Sequence, residues 1–184
     1  LGLVGSEMCI RDRYYHQLMQ YNRLLQQRNA VLKEYRGKNT IPLEEWDLQL
    51  ADMASFIVKK RLESLKKINL LIDLMNRKLT GGLENLTIGY EQPYMDTGSL
   101  EYTKEGFYER IKAALPQDRH RLSTSVGPHR DDLKFFSDAM DLKKFGSQGQ
   151  QRTAVLSLKL SELEFIKSEV GEYPVLLLDD VLSE

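Results

Sequence analysis

The sequence predicts an α/β protein in which a region of long helices precedes a region of mixed strands and helices. Residues 14–80 carry apolar side chains at three- and four-residue steps, the spacing of one helix face. Residues 81–184 contain the alternating stretch LENLTIGYEQP and end in YPVLLLDDVLSE, with a short continuous apolar run. Such a run is typical of a strand buried on both faces in a parallel sheet. We therefore expect a helical lobe at 14–80 and an α/β lobe at 81–184.

The helical lobe should be an antiparallel pair of helices. The first ends before Gly37, and the second starts near Pro42 and runs to Gly81–Gly82. The second apolar stripe slips once between Ile57 and Leu62, which predicts a kink or a change of packing partner. The expected stripes are Tyr14, Leu18, Tyr21, Leu25, Leu32 and Tyr35 in the first helix and Trp46, Leu50, Met53, Ile57, Leu62, Leu65, Ile68, Ile72, Met75 and Leu79 in the second.

The first thirteen residues, LGLVGSEMCIRDR, have neither helical nor strand periodicity. They also lack the basic start and long apolar core of a signal peptide. We expect residues 1–13 to be a non-native leader. Because the sequence stops directly after the last predicted strand, we expect it to be a fragment of a longer protein.

The composition, with 41% hydrophobic and 29% charged residues, is that of a globular chain. No apolar run approaches the roughly 18 residues of a membrane-spanning helix, so we expect no membrane partner. The single cysteine, Cys9, excludes a disulfide within the chain and a zinc site built on several thiolates. This cysteine usage fits a reducing cytoplasm.

Charge is distributed unevenly between the two predicted lobes. Residues 14–80 contain 12 Lys and Arg against 7 Asp and Glu, a net charge of +5, whereas residues 81–184 contain 12 against 18, a net of −6. A basic part joined to an acidic part suits nucleic acid on one side and metal–nucleotide chemistry on the other, although both could simply be solvated helix faces. The candidate phosphate contacts on the second helix are Lys59, Lys60, Arg61, Lys66 and Lys67.

The run VLLLDD places two carboxylates at the end of a predicted buried strand. In open α/β sheets this end of a strand lies at the ligand-binding edge. Asp179 could hold Mg²⁺ through a bound water, and Asp180, pointing to the other side of the strand, could orient or deprotonate an attacking water. Two acids that close a strand also occur at a solvated loop or a helix cap, so this motif alone leaves both interpretations open.

The stretch FGSQGQQ precedes an apolar-periodic helix and predicts an anion-binding helix N-terminus. The first turn of a helix carries unpaired N–H groups and a partial positive charge. Ser147 could add a hydroxyl, and Gly149 would let the backbone approach a phosphate closely. The alternative is a polar N-cap followed by a core helix in which Leu156, Leu160 and Leu163 face inward.

The stretch GPHRDDL contains a Gly-Pro turn followed by charged residues. A local pair between Arg130 and an aspartate is the structural interpretation of this motif. A contact from Arg130 to DNA or another phosphate is the functional one.

The stretches TSVGPHRDDL, FGSQGQQRTAVLSLKLSELEFI and YPVLLLDDVLSE, in this order, resemble the RecF family of bacterial DNA replication and repair proteins over about residues 14–184. That family is similar to the SMC and Rad50 proteins, whose ATPase heads are built like those of ABC transporters. The resemblance implies part of an ABC-type P-loop ATPase lobe with an inserted α-helical hairpin. It matches Asp179 to the Walker B magnesium residue, Asp180 to the catalytic acidic position, and four residues to the ABC signature, which touches ATP phosphate in a second subunit: Ser147, Gln148, Gly149 and Gln150.

The resemblance further implies a weak DNA-dependent ATPase that uses ATP and Mg²⁺ and forms an ATP-dependent homodimer. It implies binding to single-stranded or gapped DNA, a partnership with RecR, help in loading the recombinase, a link to the SOS response and a cytoplasmic location. The sequence contains no G-x-x-x-x-G-K-[ST] loop, so we expect no ATP hydrolysis by these residues alone. The alternatives are the head of another SMC-like ATPase and a non-enzymatic helical interaction module.

Overall fold

The computed structural model describes residues 3–35, 42–94 and 102–175. Along the chain these residues form α1 (Leu3–Glu34), α2 (Glu44–Thr80), β1 (Leu86–Glu91), α3 (Lys104–Ala113), α4 (Leu115–Arg121), β2 (Asp132–Ser137), β3 (Met140–Asp141), α5 (Leu142–Phe145) and α6 (Gln148–Val170). None of the described helices is both long enough and apolar enough to cross a membrane.

The chain folds into two compact units. The first comprises Leu1–Arg61 and Gln92–Asp132, and the second comprises Leu62–Glu91 and Leu133–Glu184. Helix α2 contributes to both units, and it changes unit between Arg61 and Leu62. This is where its apolar stripe slips, so the expected change of packing partner is confirmed. This division of the chain lies within α2 and is a different boundary from the one expected near residue 80. The boundary near residue 80 stays a prediction.

In the first unit, α1 and α2 lie antiparallel. Tyr14, early in α1, accepts a hydrogen bond from Arg61, late in this part of α2, whereas Arg28 contacts Asp47 in the first turn of α2. The expected stripes supply buried core residues, among them Tyr21, Leu32, Leu50 and Ile57.

Helix α1 begins at Leu3, so the first helix extends through residues that lack helical periodicity in the sequence. Once a helix is nucleated, each added residue needs only a modest propensity. The stretch before Tyr14 includes good helix formers such as Glu7, Met8 and Arg11.

A buried ionic network ties together the helices of the first unit. Arg28 is fully buried and donates to Asp47 at 2.6 Å, to Asp118 at 2.7 Å and to Thr124 at 2.9 Å. The second oxygen of Asp118 accepts from the backbone N–H and the hydroxyl of Ser125. Because a buried charge must be paired, this network fixes α1, α2, α4 and the segment after α4 together.

The second unit contains a three-stranded sheet in the order β1-β2-β3. Strands β2 and β3 form an antiparallel hairpin that pairs Phe136 with Asp141 and Ser137 with Met140. The two turn residues between them have positive φ, as the two-residue turns that suit a hairpin require. Side chains of the second half of α2, of β1, of α5 and of α6 form a core that centres on Ile72, Leu86, Ile88, Leu142 and Ala154.

Helix α6 turns small side chains toward this core. Its buried residues are Ala154, Ser157 and Ser161. The expected inward residues, Leu156, Leu160 and Leu163, are only half-buried, so that expectation is wrong in detail. The hydroxyl of Ser157 donates to Asn76 of α2 at 3.2 Å, which shows that the small side chains allow the two helices to approach closely. Leu79, expected in the α2 core stripe, is 43% exposed.

Candidate nucleotide-phosphate site

The N-terminus of α6 is closed by a capping box. The Ser147 hydroxyl accepts a hydrogen bond from Gln150 N at 3.2 Å, and the Gln150 side-chain oxygen accepts from Ser147 N at 3.0 Å. Both residues therefore satisfy backbone donors of the first turn, as Ser and Gln do three positions apart. The helix-cap interpretation of FGSQGQQ is confirmed, and a phosphate contact by the same residues stays a prediction.

The capped turn is open to solvent. Ser147, Gln148 and Gly149 are exposed, and a Cβ added to Gly149 would meet only the Ser147 hydroxyl, at 3.9 Å. Within the described part of the chain, the amide N–H groups of Gln148 and Gly149 have no acceptor. An anion at this position would therefore meet free donors and the positive end of the helix dipole. Nothing in the packing of the described residues requires Gly149 to be glycine.

The turn before α6 does require a glycine, at position 146. A Cβ on Gly146 would lie 2.6 Å from the Leu142 carbonyl oxygen, closer than such atoms can approach. Gly146 N donates to the same carbonyl at 3.0 Å, and the Gln151 amide donates to it at 2.9 Å and to the Gly146 carbonyl at 3.2 Å. Leu142 itself is buried in the core. These contacts hold the turn before α6, and sequence reasoning missed Gly146 and the role of the Gln151 amide in this turn.

A carboxylate also supports the site, and sequence reasoning missed it as well. The side-chain nitrogen of Gln150 donates to Glu84 at 2.9 Å. Glu84 lies 66 positions earlier, just before β1, and neither its residue type nor its surroundings in the sequence indicate this contact.

The two predicted Walker B carboxylates, Asp179 and Asp180, lie outside the described residues. Of the run that contains them, the structure describes Pro174 and Val175, which are not in a strand, and Val175 is 89% exposed. In the described ranges, no group of three His, Cys, Asp or Glu side chains could hold a metal ion. The Mg²⁺ site stays a prediction.

Two of the basic residues predicted to contact DNA are held by other groups of the protein. Arg61 donates to the Pro128 carbonyl at 2.6 Å and lies 3.7 Å from the buried carboxylate of Asp131. Lys67 donates to Glu169 at 2.6 Å. Such a residue would have to give up its present contact to bind a phosphate, so it would contribute less to any binding of DNA.

Four of the α2 lysines predicted to contact DNA lie in two neighbouring rows on the helix. Lys59 and Lys66 are exposed and stand seven residues apart, so they lie on nearly the same face, two turns apart. Lys60 and Lys67 form a neighbouring row with the same spacing. Glu63 falls between the two rows and reduces their net positive charge.

The GPHRDDL segment is a packing element of the first unit. Arg130 donates to the Thr124 carbonyl at 3.2 and 2.9 Å, whereas it is Arg61 that lies beside Asp131. The expected local pair between Arg130 and an aspartate is therefore wrong, because the turn directs Arg130 back toward a backbone carbonyl. The contact of Arg130 with DNA stays a prediction.

The same segment packs its glycine and histidine against α1. Gly127 has a φ of 132°, and an added Cβ would overlap the Tyr21 hydroxyl. That hydroxyl lies 2.6 Å from His129 Nδ1, and His129 Nε2 lies 3.0 Å from the Thr124 carbonyl. Burial raises the pKa of Tyr21 and lowers the pKa of His129, so a neutral imidazole accepts from Tyr21 and donates to Thr124.

Comparison with known proteins gives a consistent result. The chain is 47% identical over 177 residues to the DNA replication and repair protein RecF of Alkaliphilus oremlandii, covering 95% of this chain and 48% of that protein. It is 48% identical over 188 residues to the RecF protein of Halothermothrix orenii, covering 98% of this chain and 50% of that protein. No family model matches.

Solved structures agree with the sequence relatives. A structure described as the recombination mediator protein RecF-ATPrS in the RecFOR pathway matches with a TM-score of 0.85 and 38% identity, covering 94% of this chain and 47% of that chain. A RecF-ATP structure from the same pathway matches with a TM-score of 0.84.

The helices and small antiparallel sheet therefore form part of an ATPase lobe with an inserted helical hairpin, as the sequence predicts. The chain spans about half the length of the curated relatives that it matches. Over the part of the protein that it spans, the chain belongs to the RecF family.

Proposed function

We propose that the chain is part of a RecF-type protein that binds ATP and DNA in recombinational repair and replication. The similarity to RecF proteins over nearly all of the chain supports the repair role. The described relatives favour this function over the head of another SMC-like ATPase and over a helical interaction module.

The observation that carries the proposal is the open, capped N-terminus of α6. Its residues Ser147, Gln148, Gly149 and Gln150 match the ABC-type signature by resemblance to the family. Two of its amide donors have no acceptor among the described residues. A helix N-terminus of this kind binds phosphate through N–H groups and the helix dipole. The similar solved structures are described with ATP and with ATPrS, which supports ATP as the ligand.

In the proposed mechanism this site acts between two chains. One chain would hold ATP and Mg²⁺, with Asp179 as the residue that would hold the ion and Asp180 as the residue that would orient or deprotonate the attacking water. The other chain offers Ser147 and the adjacent amides to the terminal phosphate. ATP thereby joins two copies of the protein, and hydrolysis releases them.

DNA binding completes the proposal. The substrate is single-stranded or gapped DNA, the protein partner is RecR, and the outcome is loading of the recombinase in the cytoplasm as part of the SOS-linked response. The exposed lysines on α2 support contact with phosphates, mainly through Lys59 and Lys66.

The test uses Ser147→Arg in the full-length protein, with Ser168→Arg as the matched control. Ser168 is also an exposed serine of α6, but it lies near the other end of the helix. Arginine at position 147 fills the space that the phosphate requires. We expect Ser147→Arg to abolish ATP-dependent dimerisation in sedimentation experiments while the affinity of the monomer for ATP stays within about twofold of wild type.

Two results would contradict the proposal. If Ser147→Arg still dimerises on addition of ATP, the motif serves only as a helix cap. If the monomer also loses ATP binding, the motif acts within one chain rather than between two. Ser168→Arg should behave as the wild type in both measurements.

A further inference from the structure

Glu84 connects the candidate phosphate site to the core of the second unit. One carboxylate oxygen, Oε1, accepts from the side-chain nitrogen of Gln150 at 2.9 Å, and the other, Oε2, accepts from the Ser137 hydroxyl at 3.1 Å. The Glu84 backbone carbonyl accepts from the Asn76 amide at 3.0 Å. Glu84 is thus held by the sheet through its carboxylate, which accepts from Ser137, and by α2 through its backbone carbonyl, which accepts from Asn76.

The amide of Gln150 is fixed from both of its ends. Its oxygen accepts from Ser147 N at 3.0 Å, and its nitrogen donates to Glu84 at 2.9 Å. Because a carboxylate can only accept and a backbone N–H can only donate, this pair of contacts allows one orientation of the amide. Glu84 therefore determines how the capping box closes around the first turn of α6.

Helix α6 is also bonded to Asn76, the α2 residue that contacts Glu84, two turns beyond Gln150. Asn76 is buried, donates to the Glu84 carbonyl at 3.0 Å and accepts from the Ser157 hydroxyl at 3.2 Å. Gln150 and Ser157 are seven residues apart and face the same side of α6. The helix is thus held at two points by Glu84 and Asn76, and the point nearer the phosphate site is the Glu84 contact.

We propose that Glu84 is a positioning residue for the phosphate site: its carboxylate holds Gln150, so that Ser147 and the free amides of Gln148 and Gly149 face the phosphate of a second chain. This inference rests on the proposed function, to which it adds a residue outside the signature. Charge-assisted hydrogen bonds to carboxylates are stronger than neutral ones, which suits a contact that must keep a helix terminus rigid.

The test compares three substitutions of Glu84 in the full-length protein. Glu84→Ala removes the carboxylate, and Glu84→Asp shortens its reach by about 1.5 Å, more than a 2.9 Å hydrogen bond tolerates. Glu84→Gln keeps an acceptor oxygen for Gln150 and a polar group for Ser137. Ser137→Ala is the matched control, because it removes the other bond of the same carboxylate and leaves the Gln150 contact intact.

Two measurements report on each variant. Hydrogen exchange at the hydrogen-bonded amides of Ser147, Gln150 and Gln151 should be about fivefold faster in Glu84→Ala and Glu84→Asp, and within about twofold of wild type in Glu84→Gln and Ser137→Ala. ATP-dependent dimerisation should weaken about tenfold in the first two variants, with ATP affinity of the monomer unchanged. Glu84→Asp keeps the inference testable if Glu84→Ala does not fold.

Unchanged exchange at the amides of Ser147, Gln150 and Gln151 in Glu84→Asp would overturn the inference. An equally large effect of Ser137→Ala would also overturn the inference, because it would show that packing of Glu84 against the sheet, rather than its bond to Gln150, sets the exchange rate. If the wild-type protein itself does not dimerise with ATP, the proposed function fails, whereas the exchange measurement still decides whether Glu84 positions the helix terminus.

Discussion

Replacing Arg28 with Met should lower the free energy of unfolding by about 3–5 kcal/mol, the usual cost of removing one partner from a buried ion pair. Arg28 is fully buried and donates at 2.6, 2.7 and 2.9 Å to Asp47, Asp118 and Thr124. Asp118 would keep its two bonds from Ser125. Asp47 would be left with no side-chain donor among the described residues, and this loss accounts for most of the cost.

The cost should also depend on pH. Burial raises the pKa of Asp47 above its ordinary value even beside Arg28. A carboxyl whose pKa is raised by folding contributes stability at low pH that is lost as the pH rises through the raised value. Without Arg28 the pKa should rise further, so the destabilisation should be smaller near pH 4 than near pH 7.

The assay is urea unfolding followed by fluorescence of Trp46, the single tryptophan, which lies next to Asp47. Arg23→Met, an exposed arginine on the same helix, is the matched control and should cost less than about 0.5 kcal/mol. Adding Asp47→Asn to Arg28→Met should recover about 1–2 kcal/mol, because no unpaired carboxylate then remains. A loss below about 1 kcal/mol in Arg28→Met would refute the view that the network holds the first unit together.

Two further predictions concern DNA and acid stability. Replacing Lys59, Lys60 and Lys66 with Gln should reduce the slope of log K against log salt by about 0.9 per lost phosphate contact in titrations with gapped DNA, and an unchanged slope would assign DNA binding to another surface. Burial lowers the pKa of His129, so its contribution to stability is present above about pH 6.5 and lost as the pH falls through the lowered value. His129→Gln should weaken this acid dependence in thermal unfolding, and an unchanged dependence would assign it to other groups.

The sequence predicts best the features that depend on nearby residues. The apolar spacing locates both long helices, and the slip between Ile57 and Leu62 locates the point where α2 changes compact unit. Ser147 is the N-cap of α6, as the abrupt change from FGSQGQQ to an apolar-periodic helix indicates. Capping and helical periodicity depend on residues three or four positions apart, so a short stretch of sequence is enough to predict them.

The features that the sequence does not reveal depend on residues far apart in the chain. The bonds of Arg28 span 19, 90 and 96 positions, and the bond between Glu84 and Gln150 spans 66. Nothing in the local pattern indicates which distant charge will be the partner. Arg61, rather than the neighbouring Arg130, lies beside Asp131 for the same reason.

Hydropathy also misidentified the buried face of α6. The leucines at 156, 160 and 163 form a regular stripe, yet the side chains with least exposure are Ala154, Ser157 and Ser161. Close approach of two helices selects small side chains at the contact, and serine hydroxyls can bond to a preceding turn of their own helix, as Ser161 does to the Ser157 carbonyl. Periodicity alone therefore cannot distinguish the residues of α6 that contact α2 from the apolar residues on either side of that contact.

The central claim, that the α6 N-terminus of one chain completes the ATP site of another, is tested most directly by mixing two inactive full-length variants. Ser147→Arg blocks the signature but keeps the carboxylate of Asp180. Asp180→Asn removes that carboxylate but keeps the signature. In a mixed dimer, one of the two sites combines an intact carboxylate from the first variant with an intact signature from the second. We predict that an equal mixture recovers measurable ATP hydrolysis, at most about a quarter of the wild-type rate: random pairing would make half of the dimers mixed, each with one complete site, and the Ser147→Arg substitution in the second site weakens that pairing. A mixture as inactive as either variant alone would contradict the claim.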